Sequence, residues 1–373
     1  SNQGSAADRC RSNRWRTMTD LTAMMAGDRD VVMSCRVRLA RNVSGFPFVG
    51  RATHPQRREV LETVRAAAGP DEATVGLVGG GRVGASAAES LSWVDLAALP
   101  KRDRQLLWER HLISRQFAEG DSPRAVAVTP DERFSLMVNE EDHVRIQVLR
   151  TGNLLREAFD AAVRVDATLG SRLDFAFHPK WGYLTACPTN VGCGIRIGVM
   201  VHLRALRVTN EIEKVKRAAK ELHLAVRGFH GEGSEATGDW FQISNQRTLG
   251  VTETGLLEEF AGRIVPAVVA YEREARRVLL ERQRTLLEDR VFRGISLLRS
   301  ARLLGLDEAM KQLSSVRLGV CLGLIPDVGL DTLNRLTIQL QSAHLRAGES
   351  GIESDDDERA ARARVARTIL GEQ

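Results

Sequence analysis

The chain has 373 residues and a mass of 41.2 kDa, enough for two domains of roughly 100–200 residues each. Its 43% apolar and 27% charged residues exclude a disordered, collagenous or membrane-spanning chain. The net charge of +5, from 53 basic against 48 acidic residues, makes nucleic acid an unnecessary partner.

Residues 1–30 read as a polar N-terminal extension without an apolar secretory core, and no run approaches the ~18 apolar residues of a membrane span. A cytoplasmic location is expected. The five cysteines, Cys10, Cys35, Cys187, Cys193 and Cys321, are odd in number and include no C-x-x-C pair. That spacing argues against a disulfide framework and against a zinc site, and no metal-ligand set is read from the sequence.

Val31 to Met33 reads as a strand entering an arginine-dense loop, Ser34-Cys35-Arg36-Val37-Arg38-Leu39-Ala40-Arg41-Asn42. Pro55 to Ala68 has helical spacing, and Gly79-Gly80-Gly81, lacking a following G-K-[ST], reads as a turn rather than a phosphate loop. Ala125 to Val128, Phe134 to Val138 and the alternating Val144, Ile146 and Val148 predict consecutive antiparallel strands. Further strand-like pieces at Gly182–Ala186, Leu222–Phe229 and Trp240–Ser244 alternate with helical stretches at Leu154–Val165 and Glu211–Glu221, an α+β pattern. From Thr254 the strand signal stops, and Leu256 to Arg293 reads as one long amphipathic helix followed by shorter ones. The expected domains are therefore 31–255 and an all-helical 256–373. The acidic run Glu353 to Glu358 ahead of an arginine-rich last helix is either a solvated end or a docking element.

Several arginines stand in glycine or polar contexts instead of on helical faces. Arg36 and Arg38 alternate on one side of a strand, Arg145 follows Asn139-Glu140-Glu141-Asp142-His143, Arg196 follows Cys187 to Gly194, and Arg227 opens Arg227-Gly228-Phe229-His230-Gly231-Glu232. Brought together they make a cationic cup that can clamp a triphosphate, since phosphoryl transfer is mostly positioning and charge stabilisation. Glu141 and Glu232, beside turn residues, can orient a cationic acceptor and take its proton. Cys187, before Pro188, can be held as a thiolate by neighbouring arginines.

These segments, with His111-Leu112-Ile113-Ser114 and Cys187-Pro188-Thr189-Asn190, occur together and in one order, and they resemble the catalytic domain of the phosphagen (guanidino) kinase superfamily. Within it, Gly231-Glu232-Gly233-Ser234-Glu235-Ala236, Gln242-Ile243-Ser244-Asn245-Gln246, Leu287-Glu288-Asp289-Arg290-Val291 and Val316-Arg317-Leu318-Gly319 are similar to the bacterial protein-arginine kinases. The resemblance runs from about Val31 to the C-terminus. It implies an antiparallel sheet flanked by helices, followed by a helical C-terminal domain.

By position, the resemblance implies that Arg36, Arg38, Arg145, Arg196 and Arg227 bind nucleotide phosphates and that His111 lies on the adenosine side. Ser34, Cys35, Val37, Ile197, Gly198, Val199, Met200, Gly228, Phe229, His230, Gly231 and Glu232 complete the implied ATP site, with Mg²⁺ arriving on the nucleotide. Glu141 and Glu232 match the carboxylates that hold the acceptor guanidinium, and Cys187 the cysteine that contacts it. An arginine side chain has a pKa above ~12 and is a poor nucleophile while protonated, so a base must act. Glu141 and Glu232 share that role.

Free-guanidino kinases of the superfamily carry a small helical domain ahead of the catalytic one, whereas about thirty polar residues precede Ser34 here. The expectation is an open site that accepts arginine on a protein surface. A free-guanidino (arginine) kinase and an ATP- or phosphoarginine-binding adaptor are the alternatives. By resemblance the partners are an McsA-type activator, a CtsR-type repressor and the ClpC–ClpP protease, in a stress response, with a possible homodimer and no direct nucleic acid or membrane. Six lysines among the 53 basic residues leave 47 arginines, so autophosphorylation is plausible.

The sequence departs from the family in four places. The usual Arg-Asp-x-x-Arg-Ala phosphoarginine motif reads Glu358-Arg359-Ala360-Ala361-Arg362-Ala363, and the glutamate would repel phosphate. Cys35 and Cys193 stand at positions usually small and hydroxylic, and Gly198 at one usually serine, changes that could tune nucleotide binding or redox sensitivity. None removes a charge from the catalytic set. The role assignment predicts that Glu232→Ala nearly eliminates phosphoryl transfer while ATP binding persists; undiminished transfer, measured as acid-labile phosphate, would overturn it.

Overall fold

The computed structural model describes residues 28–69, 91–229 and 237–371. The Gly79–Gly81 turn lies outside them. Ten strands are described: β1 (Val32–Arg41), β2 (Ser92–Asp95), β3 (Ala125–Val128), β4 (Phe134–Val138), β5 (Val144–Thr151), β6 (Phe177–His178), β7 (Gly182–Tyr183), β8 (Ile195–His202), β9 (Leu224–Arg227) and β10 (Trp240–Asn245). Eight form one sheet in the order β2-β3-β4-β5-β1-β8-β10-β9, and β6 and β7 pair separately. The neighbouring strands run antiparallel throughout.

The arginine-dense segment is not a loop after a strand; it is the strand. Alternation of Cys35, Val37 and Leu39 with Arg36 and Arg38 gives a period of two, and β1 takes the centre of the sheet between β5 and β8. Inward residues of β1, β5 and β8 (Val37, Leu39, Ile146, Val148, Ile197, Val199) are buried against helix α4 (Leu155–Gly170) through Ala158, Ala162 and Val165. Three α-helices precede α4 among the described residues: α1 (His54–Ala68), α2 (Lys101–Glu109) and α3 (Arg115–Glu119). Helix α1 starts at a Thr53–Gln56 capping box. A second, smaller core of Leu107, Leu112, Phe117, Val126 and Met137 holds α2 and α3 against β3 and β4.

Helices α5 (Arg204–Val208) and α6 (Ile212–Glu221) connect β8 to β9. After β10 come α7 (Glu253–Glu259), α8 (Val265–Arg282), α9 (Arg284–Ser300), α10 (Leu306–Cys321), α11 (Leu330–Gln339), α12 (Ser342–Gly348) and α13 (Asp355–Gly371). The single long helix expected from Leu256 to Arg293 is therefore broken twice. A π turn at Phe260–Ile264 precedes Pro266, whose missing N–H cannot bond four residues back. At Gln283 the backbone leaves the helical region (φ −137°, ψ 34°), and the two halves then bury different faces, α8 on α5 and α9 on α10 and α13. The strand expected over Gly182–Ala186 is only the two-residue β7.

Residues 28–30 dock on the helical part. Asp30 accepts from Arg273 (2.7 and 3.0 Å) and Arg276 (3.2 Å), Arg29 pairs with Asp331, and buried Arg317 donates to the Arg29 carbonyl at 2.9 Å. Buried Glu272 of α8 joins that helix to α5: it accepts the Ala205 and Leu206 amides at 3.0 and 3.1 Å and Arg276 Nε at 2.9 Å. The acidic run opens α13 and complements its N-terminal dipole, with Ser354 and Asp357 capping each other. No helix among the described residues is long and apolar enough to cross a membrane.

Burial pushes the Asp30 carboxyl up, but its bonds to Arg273 and Arg276 outweigh that and hold it below the usual range. A carboxyl depressed in the fold stabilises above its unfolded value of ~3.9 and loses that contribution as pH falls through the lower folded value. Asp30→Asn should cost about 1–3 kcal/mol at pH 7 in urea unfolding. The gap to the wild type should close on acidification below that window.

Candidate active site

The antiparallel register places the arginines on one side of the sheet. Arg38 of β1 lies opposite Arg196 of β8, and Arg36 opposite Gly198, while Arg145 projects from β5 and Arg227 ends β9. Arg36, Arg38, Arg145, Arg196 and Arg227 together line a cavity of about 380 Å³. Burial, then repulsion from Arg145, Arg196 and Arg227, pulls the Arg36 guanidinium down to about 10. Arg38 is likewise held well below its ordinary value, by burial and then by Arg36, Arg145 and Arg196. A cluster whose members repel one another in a cleft is built for a polyanion.

One rim of the cup is acidic. Arg145 bridges Glu140 at 2.7 Å and Glu141 at 3.2 Å. Glu140 is the more buried, accepting Ser114 Oγ at 2.5 Å and the Glu141 amide at 3.1 Å. Burial raises its carboxyl, but Arg145, Ser114, the amide and Arg38 prevail and keep it below the usual range. The sequence reading passed over Glu140, because two adjacent glutamates look alike until the turn decides which points inward. Glu141 is 38% exposed and faces the same cavity as Cys187.

Asp142 sets those two side by side. Its Oδ1 accepts the Ala186 amide at 2.6 Å and Asn42 Nδ2 at 2.7 Å, tying the Glu140–Glu141 turn to the Cys187 loop. His143 Nδ1 accepts the Val43 amide at 3.1 Å while Nε2 lies 3.0 Å from the Pro47 carbonyl, and burial pulls the ring's pKa down, so this histidine is a brace. Cys187 opens a 3-10 turn with its Sγ 3.0 Å from Thr189 Oγ1. Thr248 Oγ1 donates to the Thr189 and Val191 carbonyls, both at 2.8 Å. Gly192, at φ +114°, lets this loop lie on Thr248, whose carbonyl oxygen would sit 2.3 Å from any Cβ there. Buried Arg41 closes the brace: it donates to Asp166 (2.7 Å), Glu253 (3.2 Å) and the Cys193 carbonyl (3.1 Å), 3.5 Å from the Tyr183 ring centroid.

The other sequence-selected residues divide by face. Ser34, Met200, Phe229 and His111 line a second cavity beside the cup, and His111 lines both. His111 takes a left-handed backbone (φ 60°) with its carbonyl held by Gln147 Nε2 at 2.8 Å. Cys35, Val37, Ile197 and Val199 instead point into the core, so their side chains cannot touch a nucleotide lying on the opposite face. Burial pushes the Cys35 thiol up to about 12, which removes it as a redox-sensitive group. Gly198 fits the sheet closely: a Cβ there would meet the Ile243 carbonyl at 2.9 Å. Gly228 is buried at the end of β9. His230, Gly231 and Glu232 lie outside the described residues.

At the departed motif, Glu358 does not stand as a bare charge. It accepts from Ser342 (2.6 Å), Arg346 (2.9 Å) and Arg362 (2.5 Å), and buried Arg362 also donates to the Leu340 and Leu304 carbonyls. Both arginines are engaged within the fold.

The profile of the ATP:guanido phosphotransferase C-terminal catalytic domain matches residues 83–275, and that of the protein-arginine kinase McsB C-terminal domain matches residues 284–373. The chain is 44% identical over 317 residues to a protein-arginine kinase of Symbiobacterium thermophilum, covering 85% of this chain and 86% of that one. It is 38% identical over 343 residues to the protein-arginine kinase of Halothermothrix orenii, covering 92% and 94%. Among solved structures, the duplicated taurocyamine kinase from Schistosoma mansoni with bound transition-state-analogue components shares the fold at TM-score 0.56 and 24% identity, over 68% of this chain and 35% of that one. Lombricine kinase does so at TM-score 0.55 and 23% identity, over 68% and 70%.

Replacing Arg36 by Met removes one charge from the repelling cluster while keeping the apolar stem. The melting temperature of the ligand-free R36M protein should hold or rise, and its affinity for tripolyphosphate, measured by calorimetry, should drop at least about tenfold, ~1.4 kcal/mol. A destabilised variant that still binds tripolyphosphate normally would contradict the polyanion reading.

Proposed function

The chain belongs to the ATP:guanido phosphotransferase family, among the protein-arginine kinases, and on that premise we propose that it transfers the γ-phosphoryl group of ATP to arginine side chains of proteins. The observation that carries this reading is the cup of five arginines bordered by Glu141 and Cys187. A cationic floor suits the triphosphate, and an anionic rim suits the guanidinium it would phosphorylate.

Arg36, Arg38, Arg145, Arg196 and Arg227 hold the phosphates and neutralise charge as it redistributes. Mg²⁺ arriving with the nucleotide would supply further neutralisation of the phosphate charge. Glu141, with Glu232 by family resemblance, orients the acceptor guanidinium and receives the proton it must lose. The N–P bond then forms in line as the bond from the γ-phosphorus to the β,γ-bridging oxygen breaks, leaving ADP. Arg145 links the two halves of the site. Phosphates that draw it from Glu141 free that carboxylate for the incoming arginine, while Glu140, the closer partner, keeps Arg145 positioned. Cys187 adds a polarizable contact to the acceptor.

By the same resemblance, the chain works in the cytoplasm in protein quality control under stress, with an McsA-type activator, a CtsR-type repressor and the ClpC–ClpP protease. Tyr271 of α8 and Leu286 and Phe292 of α9 are exposed large side chains that a homodimer could cover.

The test is incubation of the chain with Mg-ATP and either free L-arginine or an unfolded arginine-rich protein, read by phosphorus NMR and mass spectrometry. Phosphate on protein arginine alone is expected. Label on free arginine would mean a metabolic guanidino kinase, and ATP binding without label an adaptor. Glu141→Gln should lower transfer by about 10²-fold or more with ATP affinity kept within a few-fold.

A further inference from the structure

The stretch from Trp108 to Gln116 forms one wall of the arginine cup. It turns from α2 into α3 with His111 in the left-handed region (φ 60°) and the His111 amide donating to the Trp108 carbonyl at 2.8 Å. Ser114 caps α3: its Oγ accepts the Phe117 amide at 3.1 Å and donates to Glu140 at 2.5 Å. Glu140 in turn bridges Arg145 at 2.7 Å. The position of Ser114 therefore bears on Arg145 through a single carboxylate.

The same wall is tied to the helical part of the chain. Glu109, the last residue of α2, is only 1% exposed. Its Oε1 accepts the Ala343 amide at 2.9 Å, and its Oε2 accepts the His344 amide at 3.1 Å and His344 Nδ1 at 2.8 Å. An ionised carboxylate accepts only, so Nδ1 carries the imidazole hydrogen. Ala343 and His344 open α12, which buried Ala343 and Leu345 fix in the core. An apolar contact between α2 and α12 would avoid the desolvation cost of that carboxylate but would not fix how the two helices are set against each other.

Resting on the kinase reading above, we propose that Glu109 is a positioning residue for phosphoryl transfer: it clamps the end of α2 to α12, so that the helical part of the chain sets where Ser114 holds Glu140 and, through Glu140, where Arg145 stands between phosphates and acceptor. Glu109 does not line the cup and acts only through the wall that it anchors. His111 has a separate tie to the sheet, since Gln147 Nε2 donates to its carbonyl at 2.8 Å. Loss of the clamp therefore falls on Ser114 and on turnover more than on nucleotide binding.

Glu109→Gln keeps the size of the side chain, but either setting of its carboxamide puts an NH₂ group against a backbone amide donor. With the full chain phosphorylating an unfolded arginine-rich protein from Mg-ATP, this variant should lose about tenfold or more in kcat, with KM for ATP within about threefold of the wild type. Ser114→Ala should lower kcat as well, and the double variant should fall no further than the deeper single one, as two residues on one path require. Asp30→Asn breaks a different joint of the helical part and should leave kcat within about twofold of the wild type. Unchanged kcat in Glu109→Gln, or losses that multiply in the double variant, would overturn the assignment. An equal loss in Asp30→Asn would do so too, by showing a merely structural role. If Glu109→Gln does not fold, His344→Phe keeps a ring while removing the Nδ1 donor, and the same lack of additivity with Ser114→Ala is required of it. A wild-type chain that transfers no phosphate would instead sink the kinase reading on which the proposal rests.

Discussion

Guanidinium groups crowded onto one face of a sheet repel one another, and partial burial makes that repulsion stronger than it would be in water. Arg36, Arg38, Arg145, Arg196 and Arg227 stand in that relation, and burial first, then repulsion from their neighbours, holds Arg36 and Arg38 below their ordinary values. The ligand-free fold therefore holds an arrangement that a polyanion relieves. Binding free energy and folding free energy are coupled at this point, because a ligand that binds only the native state stabilises it by mass action. The central strand tolerates the cluster because its other face, Val37 and Leu39 with their neighbours on β5 and β8, is buried in the core that α4 covers over β1 and β5.

Opposing that repulsion is a set of braces at the edges of the cup, each built from a buried group with several partners. Asp142 joins the Glu140–Glu141 turn to the Cys187 loop, and Arg41 joins that loop to α4 and α7 through Asp166 and Glu253. Such groups cost desolvation energy and are tolerated only when well satisfied. They position the acidic rim without touching a substrate themselves. A comparable joint, Glu272 with Ala205 and Arg276 and Asp30 with Arg273, ties α8 to α5 and to the residues just ahead of β1.

Much of this was legible in the chain as written. The period-two alternation over 125–148 yields β3, β4 and β5, and the apolar spacing over 55–68 yields α1. Alternation also carried a signal that a motif-based reading overrode: Cys35 and Val37 lie between Arg36 and Arg38, so they must face away from them, into the core. The break at Gln283 was less visible, since helical periodicity persists on both sides and only the change of packing partner shows that two helices are present.

What the sequence by itself determined is the chemical inventory: arginines in strand and turn contexts, carboxylates and a thiol in loops, and an order of motifs shared with guanidino kinases. Local patterning suffices for that, because side-chain period and turn residues act over a few positions. Tertiary structure alone decided that Glu140 rather than Glu141 is the buried partner of Arg145, and that Glu109 of α2 takes up the Ala343 and His344 amides of α12. Those relations are contacts between residues far apart in the chain or choices of side-chain direction at a turn, and they exist only once the sheet register and the docking of the helices have been set.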